Sequence, residues 1–191
     1  MRPDSIIVVS GIPRSGTSMM MQILSAGGIA LLTDHTRKAD SDNPRGYFEF
    51  EKTKELAKDK TWLHKAKGKA VKIISQLLKE LPSDFNYKII FMERTMEEIL
   101  ASQNQMLLNR GTSENQGKNE QLGDLFKKHL AEIKTWLTGQ SNFDVTCISF
   151  NEVLKNPAPH LLELARFLDI SLNLKAMLAV IDKSLYRQKA D

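Results

Sequence analysis

The chain has 191 residues, of which 41% are hydrophobic and 26% charged, and its formal net charge is +4. These are ordinary globular values, and we expect residues 1–191 to form a single domain with a sizeable core. The apolar stretches are too short to span a bilayer, and no signal peptide is visible. The single cysteine, Cys147, excludes an internal disulfide and fits a reducing compartment, so we expect a cytoplasmic protein.

Three short apolar runs predict buried strands, and each is followed by a helix-like stretch. The runs are Ile6–Ser10, Tyr87–Met92 and Val145–Phe150. Strands of a parallel sheet have this composition, because helices cover both faces of the sheet. Residues 29–32 are also apolar and could form a further strand or a loop. We therefore expect an α/β fold with three α/β/α layers and a central parallel sheet.

Six stretches predict the helices that flank this sheet: residues 16–27, 69–81, a stretch after Arg94, 121–137, 160–168 and 174–181. The second stretch has apolar residues at helical spacing, and Pro82 follows its last residue. Residues 108–119 are polar and contain glycine, so we expect a mobile loop. Loops of this kind often close over a binding site.

Residues 11–16 form a Gly-x-x-x-x-Gly segment between the first strand and the first helix. This order of strand, turn and helix predicts a P-loop, in which backbone N–H groups at the helix start bind an anion. Gly11 and Gly16 permit the turn, and Arg14 adds a charged, planar donor group. Three hydroxyl side chains also belong to the segment or follow it: Ser15, Thr17 and Ser18. These groups suit a phosphate or a sulfate.

Thr17 argues against ATP as the ligand of this loop. It occupies the position at which a Walker loop has the lysine that neutralises the outer phosphates. The sequence also places no acidic metal ligand at the end of a strand. An ATP-dependent P-loop kinase is therefore an alternative that lacks two of its expected residues.

The motif PRSGTS at residues 13–18 resembles the donor loop of the sulfotransferase family. Members of that family use this loop to bind the 5′-phosphosulfate of 3′-phosphoadenosine 5′-phosphosulfate (PAPS). Their second motif is an arginine after a later strand and a serine eight residues on, which here are Arg94 and Ser102. The family often has proline where this chain has Met96. Residues 145–170 resemble a third stretch of the family, a strand followed by a turn and a helix.

The resemblance implies a PAPS-dependent sulfotransferase with a P-loop-like fold, and it is closest to short bacterial-type members. It implies that the donor, or its product adenosine 3′,5′-bisphosphate (PAP), is bound by seven residues: Arg14, Ser15, Gly16, Thr17, Ser18, Arg94 and Ser102. Cytosolic steroid- and phenol-type members cover the adenosine with a Gly-rich segment that is absent here. Arg187 is the candidate that remains for this position.

Sulfuryl transfer is promoted by a cation that stabilises the leaving phosphate and by a base that accepts the proton of the acceptor. Arg14 is the expected cation, and a metal is not required in principle because the sulfuryl group has less negative charge than a phosphoryl group. The base is Glu49 or His35. A turn at residues 43–46 and two aromatics could partly bury Glu49 and make it basic enough to act. Alternatively, Glu49 could be a carboxylate at a helix start that interacts with the helix dipole. His35 could equally be a surface histidine.

Residues 52–72 contain eight lysines against two acids, a local charge of +6. This segment could attract an anionic acceptor, or it could be a pair of solvated helix faces. The expected acceptor is a small molecule or a carbohydrate with a hydroxyl or amine. Trp62 is the only aromatic of the segment, so we expect no nucleic-acid partner.

A second alternative function is a non-catalytic protein that binds PAP or a polyanion. It would use the same anion sites but would need no base. The sequence leaves the oligomeric state open.

Overall fold

The computed structural model describes residues 4–109, 111, 116–182 and 184. Its centre is a parallel four-stranded sheet with the strand order β2-β1-β3-β4. The strands are β1 (Ile6–Ser10), β2 (Ala70–Lys72), β3 (Tyr87–Glu93) and β4 (Phe143–Ser149). Because the strands are parallel, their carboxyl ends meet at one edge, where ligands of open α/β sheets bind.

The helices flank the sheet and connect its strands. They are α1 (Thr17–Ala26), α2 (Met96–Asn109), α3 (Gln116–Thr138), α4 (Phe150–Lys155), α5 (Pro157–Leu168) and α6 (Leu174–Ala179). Three stretches of 3₁₀ helix precede β3: Glu51–Glu55, Thr61–Ala66 and Ser75–Glu80. In the part of the chain that the structure describes, no helix combines the length and apolar character needed to cross a membrane.

Each face of the sheet has its own hydrophobic core, because successive side chains of a strand point to opposite faces. On β1, Ile7 and Val9 pack with residues of α1, α5 and α6, including Met20, Leu164 and Met177. Ile6 and Val8 pack on the other face with the 3₁₀ stretches and α3, including Leu63, Trp62 and Ile133. The predicted three-layer α/β/α arrangement is confirmed.

The predicted helix over residues 69–81 is wrong. Ala70–Lys72 form strand β2 instead, with Ile7 opposite Ala70 and Val9 opposite Lys72. The 3₁₀ stretch Ser75–Glu80 follows. The apolar residues of this region have helical spacing, but the segment pairs with the buried strand β1 on one side, and Ala70 bonds to the backbone of Ala30 and Leu32 on the other. Tertiary pairing therefore outweighs local periodicity here.

The other predicted elements are present with small shifts at their ends. β4 ends at Ser149, and Phe150 begins α4 rather than closing the strand. The region 29–32 is not a regular strand and contributes one isolated bridge, from Leu31 to Ala70. The predicted loop at 108–119 is shorter than expected, since α2 extends to Asn109 and α3 begins at Gln116. Residues 110 and 112–115 of that loop lie outside the described residues.

Candidate active site

The turn between β1 and α1 has a backbone that requires its two glycines. Gly16 has φ 97°, and a Cβ atom there would lie 2.4 Å from the ring of Phe150. A Cβ atom on Gly11 would lie 2.8 Å from the carbonyl oxygen of Met92. Arg14 also has a positive φ, 71°, which is uncommon for a residue with a side chain. The turn is therefore held in one conformation by close packing against β3 and α4.

Helix α1 begins without a side-chain cap, because its N-cap residue is Gly16. The first backbone N–H groups of a helix have no partners within the helix, and the helix dipole makes this end electropositive. Both properties favour an anion at the start of α1, as the loop motif predicted.

A cavity of about 530 Å³ opens over this turn. Every residue from Gly11 to Ser18 lines it except Ser15. Ser15 is fully buried beneath the turn, and its backbone N–H donates to the carbonyl of Ile12 at 3.3 Å. The structure therefore directs Ser15 away from the cavity, in contrast to its expected place among the donor ligands.

Three of the predicted donor residues, Arg14, Arg94 and Ser102, meet in one wall of the cavity, which we call the anion wall. Arg14 Nε donates to Ser102 Oγ at 2.8 Å, and Arg94 Nη1 donates to the carbonyl of Arg14 at 3.2 Å. Burial lowers the pKa of Arg14, although arginine keeps its charge at neutral pH. The turn and the start of α2 are thus joined through two arginines.

A second group of residues, which we call the Lys72 cluster, comprises Arg37, Tyr47, Glu49 and Lys72. Lys72 lies at the end of β2 and is 8% exposed. Its Nζ donates to the carbonyl of Tyr47, and it lies 3.3 Å from Ser18 Oγ and 3.4 Å from Glu49 Oε1. Burial lowers the pKa of Lys72 to about 8, and the charge of Glu49 opposes this shift. A lysine therefore reaches the P-loop from the neighbouring strand.

Glu49 lines the cavity, as its proposed role requires. Its side chain is 19% exposed, and Oε1 accepts from Arg37 Nη1 at 2.9 Å. The Arg37 guanidinium also stacks on the ring of Tyr47, 3.3 Å from its centroid. In the structure, the cations in contact with Glu49 are Arg37 and Lys72.

The two remaining candidates are His35 and Arg187. His35 is exposed, has a φ of 56° and is not among the residues that line the cavity. Arg187 lies outside the described residues. Within the described ranges, no group of three or more histidines, cysteines and acidic residues is placed to hold a metal ion.

Part of the cavity rim is closed by Arg45. Its Nη1 donates to the carbonyl of Val180 at 2.7 Å, and its Nη2 pairs with Asp182 at 2.7 Å. Arg45, Val180 and Asp182 all line the cavity. This rim joins the turn at residues 43–46 to the segment that follows α6.

Sequence reasoning missed Lys72 and Arg37 as site residues. Lys72 was counted with the solvated lysines of residues 52–72, whereas Lys52, Lys54 and Lys67 of that segment pair with acids at the surface. The signal that could have found it is the apolar pair Ala70–Val71, which together with Lys72 forms the short strand β2. Arg37 lies in an irregular segment that has no such signal.

The profile of the sulfotransferase domain matches residues 3–189 of the chain. A comparison with curated protein sequences gives no match. Among solved structures, mouse sulfotransferase SULT7A1 complexed with PAP has 19% identity and a TM-score of 0.53, with 100% of this chain and 68% of the mouse chain covered.

Two further structures share the fold. The sulfotransferase domain from the curacin biosynthetic pathway has 15% identity and a TM-score of 0.55, with 95% of this chain and 79% of that chain covered. Sulfotransferase STF1 from Mycobacterium tuberculosis has 13% identity and a TM-score of 0.59, with 93% and 70% covered. At these identities the structures establish the P-loop-like fold, and the domain profile establishes the family. This chain belongs to the sulfotransferase domain family.

Proposed function

We propose that this sulfotransferase takes its sulfuryl group from PAPS and transfers it to a hydroxyl or amine of a small-molecule or carbohydrate acceptor. The observation that carries the proposal is the convergence of Arg14, Arg94 and Ser102 on one wall of the cavity above the P-loop. The complex of the mouse relative with PAP supports the same nucleotide here.

The nucleotide would bind through two anion sites that share the anion wall. The N–H groups at the uncapped start of α1 and the Arg14 guanidinium would hold the 5′-phosphosulfate. Arg94 and Ser102 would hold the 3′-phosphate. Since Arg14 already donates to Ser102, both sites depend on one hydrogen-bonded set of side chains.

The reaction would be an in-line displacement at sulfur. The acceptor oxygen bonds to sulfur, the bond between sulfur and the bridging oxygen breaks, and PAP leaves with the electron pair. Negative charge grows on the bridging oxygen, and Arg14 and Lys72 are the cavity cations next to the P-loop that would stabilise it. Glu49, in contact with Lys72 and open to the cavity, would accept the proton of the acceptor.

Calorimetry with PAP, AMP and magnesium ATP tests the identity of the nucleotide. PAP is expected to bind most tightly. AMP lacks the 3′-phosphate, and the outer phosphates of ATP would meet Thr17 instead of the lysine that neutralises them in a Walker loop. Tighter binding of ATP than of PAP would favour the kinase alternative and refute this proposal.

Radiolabelled PAPS with a panel of acceptors tests catalysis. Transfer of label to at least one hydroxyl- or amine-bearing acceptor is expected. Tight PAP binding without transfer to any acceptor would favour the non-catalytic binder, which has the same anion sites and differs from the enzyme only in turnover.

A further inference from the structure

We infer that Glu98 and Asn151 are positioning residues, which fix the Arg94 guanidinium for the 3′-phosphate before a nucleotide binds. This inference rests on the proposed function of the anion wall. It adds to that wall a layer of side chains that do not themselves reach the cavity.

The contacts of Glu98 are buried and directional. Glu98 is 2% exposed, and its Oε2 accepts from Arg94 Nε at 2.8 Å across one turn of α2. Asn151 Nδ2 donates to both carboxylate oxygens of Glu98, at 2.9 and 3.0 Å. Asn151 belongs to α4, so this amide fixes the carboxylate from a second helix.

Arg94 is held on its other sides as well. Its guanidinium carbon lies 4.4 Å from the centroid of the Phe150 ring, and its Nη1 donates to the carbonyl of Arg14. Its side chain is only 8% exposed, yet Arg94 lines the cavity. Glu98 and Asn151 do not line the cavity, and the contact of Glu98 with Arg94 links them to a residue that does.

A positioning role gives the buried carboxylate of Glu98 a function other than stabilising the fold. A buried ion pair contributes little net stability, because the attraction between the charges is offset by the cost of removing both from water. An arginine that is already ordered loses less conformational entropy when it binds its ligand. The pair would therefore contribute to nucleotide affinity more than to the stability of the fold.

Exchange of the two partners tests this inference. Glu98→Gln keeps an acceptor for Arg94 but removes the charge, and it can place its amide against the amide of Asn151. We expect PAP affinity to fall about tenfold, the difference between a charged and a neutral hydrogen bond, with AMP affinity changed less than about threefold. Adding Asn151→Asp to Glu98→Gln supplies a carboxylate that accepts from the Gln amide and turns the Gln oxygen towards Arg94 Nε, so the part of the PAP affinity that depends on side-chain orientation should return.

Glu97→Gln is the matched control, because Glu97 is the exposed neighbour on the same turn of α2. It should leave the affinity ratio of PAP to AMP unchanged. Thermal unfolding monitors folding of each variant. If Glu98→Gln does not fold, Asn151→Ala carries the test, since it keeps the pair of Arg94 and Glu98 and should lower PAP affinity severalfold without affecting AMP.

Three results would overturn the inference. Equal losses of PAP and AMP affinity would show that Glu98 has only a structural role, and so would failure of the double variant to regain affinity. An unchanged PAP affinity in Asn151→Ala would show that the amide does not matter. An unmodified chain that does not prefer PAP over AMP would instead refute the proposed function, and this inference with it.

Discussion

The anion wall and the Lys72 cluster face the same cavity, but their cations have different hydrogen-bond partners. In the anion wall, Arg14 donates to a hydroxyl and Arg94 donates to a backbone carbonyl in addition to its pair with Glu98. In the Lys72 cluster, two cations, Arg37 and Lys72, share the carboxylate of Glu49. The first arrangement suits recognition of an anion, whereas the second holds the proposed base, Glu49, in contact with two cations.

The sharpest way to separate the two regions is Glu49→Gln, which keeps the size of the side chain and removes its basicity. We expect kcat to fall by about 10²–10⁴-fold, the usual contribution of a general base, while PAP binding survives. Steady-state kinetics and calorimetry measure the two effects. Glu51→Gln is the matched control, because the exposed Glu51 carboxylate pairs with Lys54.

Comparing the turnover of Glu49→Gln with that of His35→Ala decides between the two candidate bases. His35→Ala should leave turnover unchanged, since His35 is exposed and does not line the cavity. If Glu49→Gln has near-normal turnover and His35→Ala abolishes it, the Lys72 cluster has no role in proton transfer and His35 is the base.

Arg14→Ala tests whether the anion wall also acts in catalysis. We expect kcat to fall about 10²–10³-fold, because a cation that stabilises developing charge acts mainly in the transition state. Initial rates over a range of PAPS concentrations separate kcat from the donor KM. Arg166→Ala, at an exposed position of α5, is the control. A raised donor KM with unchanged kcat would limit Arg14 to binding.

Arg94→Ala should lower affinity for PAP about 10- to 100-fold, the effect of a lost charged hydrogen bond, with a much smaller effect on AMP. The comparison of the two nucleotides by calorimetry separates recognition from damage to the fold. Equal losses would mean that the buried Glu98, left without its cation, distorts the wall as a whole.

Because the pKa of Lys72 is about 8, we expect this lysine to lose its charge at a lower pH than the arginines of the site. As pH rises through about 8, Lys72 loses its charge, and turnover should fall by up to about tenfold per pH unit. Lys72→Arg should remove this alkaline limb of the rate profile, because arginine stays charged. An unchanged limb in that variant would assign the titration to another group.

The same shift has the opposite consequence for stability. Lys72 has a lower pKa in the folded chain than the ordinary 10.5, so the unfolded chain binds more protons between pH 8 and 10.5. The contribution of Lys72 to the free energy of unfolding should therefore rise over this range. Denaturant unfolding of the wild type and of Lys72→Met measures it, and identical pH slopes would contradict the shift.

The smallest effect is expected from the surface lysines outside both regions. Replacement of Lys65, Lys67 and Lys69 by Gln should flatten the salt dependence of turnover with a polyanionic acceptor, since surface charges act over about 10 Å at 0.1 M salt. Initial rates at increasing salt measure this. The control replaces exposed lysines of other helices, Lys127, Lys128 and Lys175. An unchanged salt profile would show that the segment is only a solvated surface.

The sequence predicted the anion wall better than the Lys72 cluster, and the reason is physical. Residues 11–18 form one contiguous segment whose glycines dictate the backbone of the turn. Arg94 precedes α2 and Ser102 lies within it, so these two residues are also close in the chain. Lys72 depends on β2, a three-residue strand that exists only through pairing with β1. A pattern of local periodicity contains no information about such distant pairing.

Irregular backbone limited the prediction of the remaining residues. Glu49 and Arg37 belong to a segment without helix or strand, so no period indicated which side chains would meet. Ser15 shows the same limit on a smaller scale. Its hydroxyl was counted with those of Thr17 and Ser18, but the tight turn buries it while its neighbours face the cavity.

The rim formed by Arg45 has a consequence for the order in which the site is completed during synthesis. Arg45 is bonded to Val180 and Asp182, which follow it by 135 and 137 positions in the chain. Arg14 and Ser102 are separated by only 88 positions. During synthesis, the residues of the anion wall and the Lys72 cluster are therefore present before the partners of Arg45, and this part of the rim can form only after Asp182 has been translated.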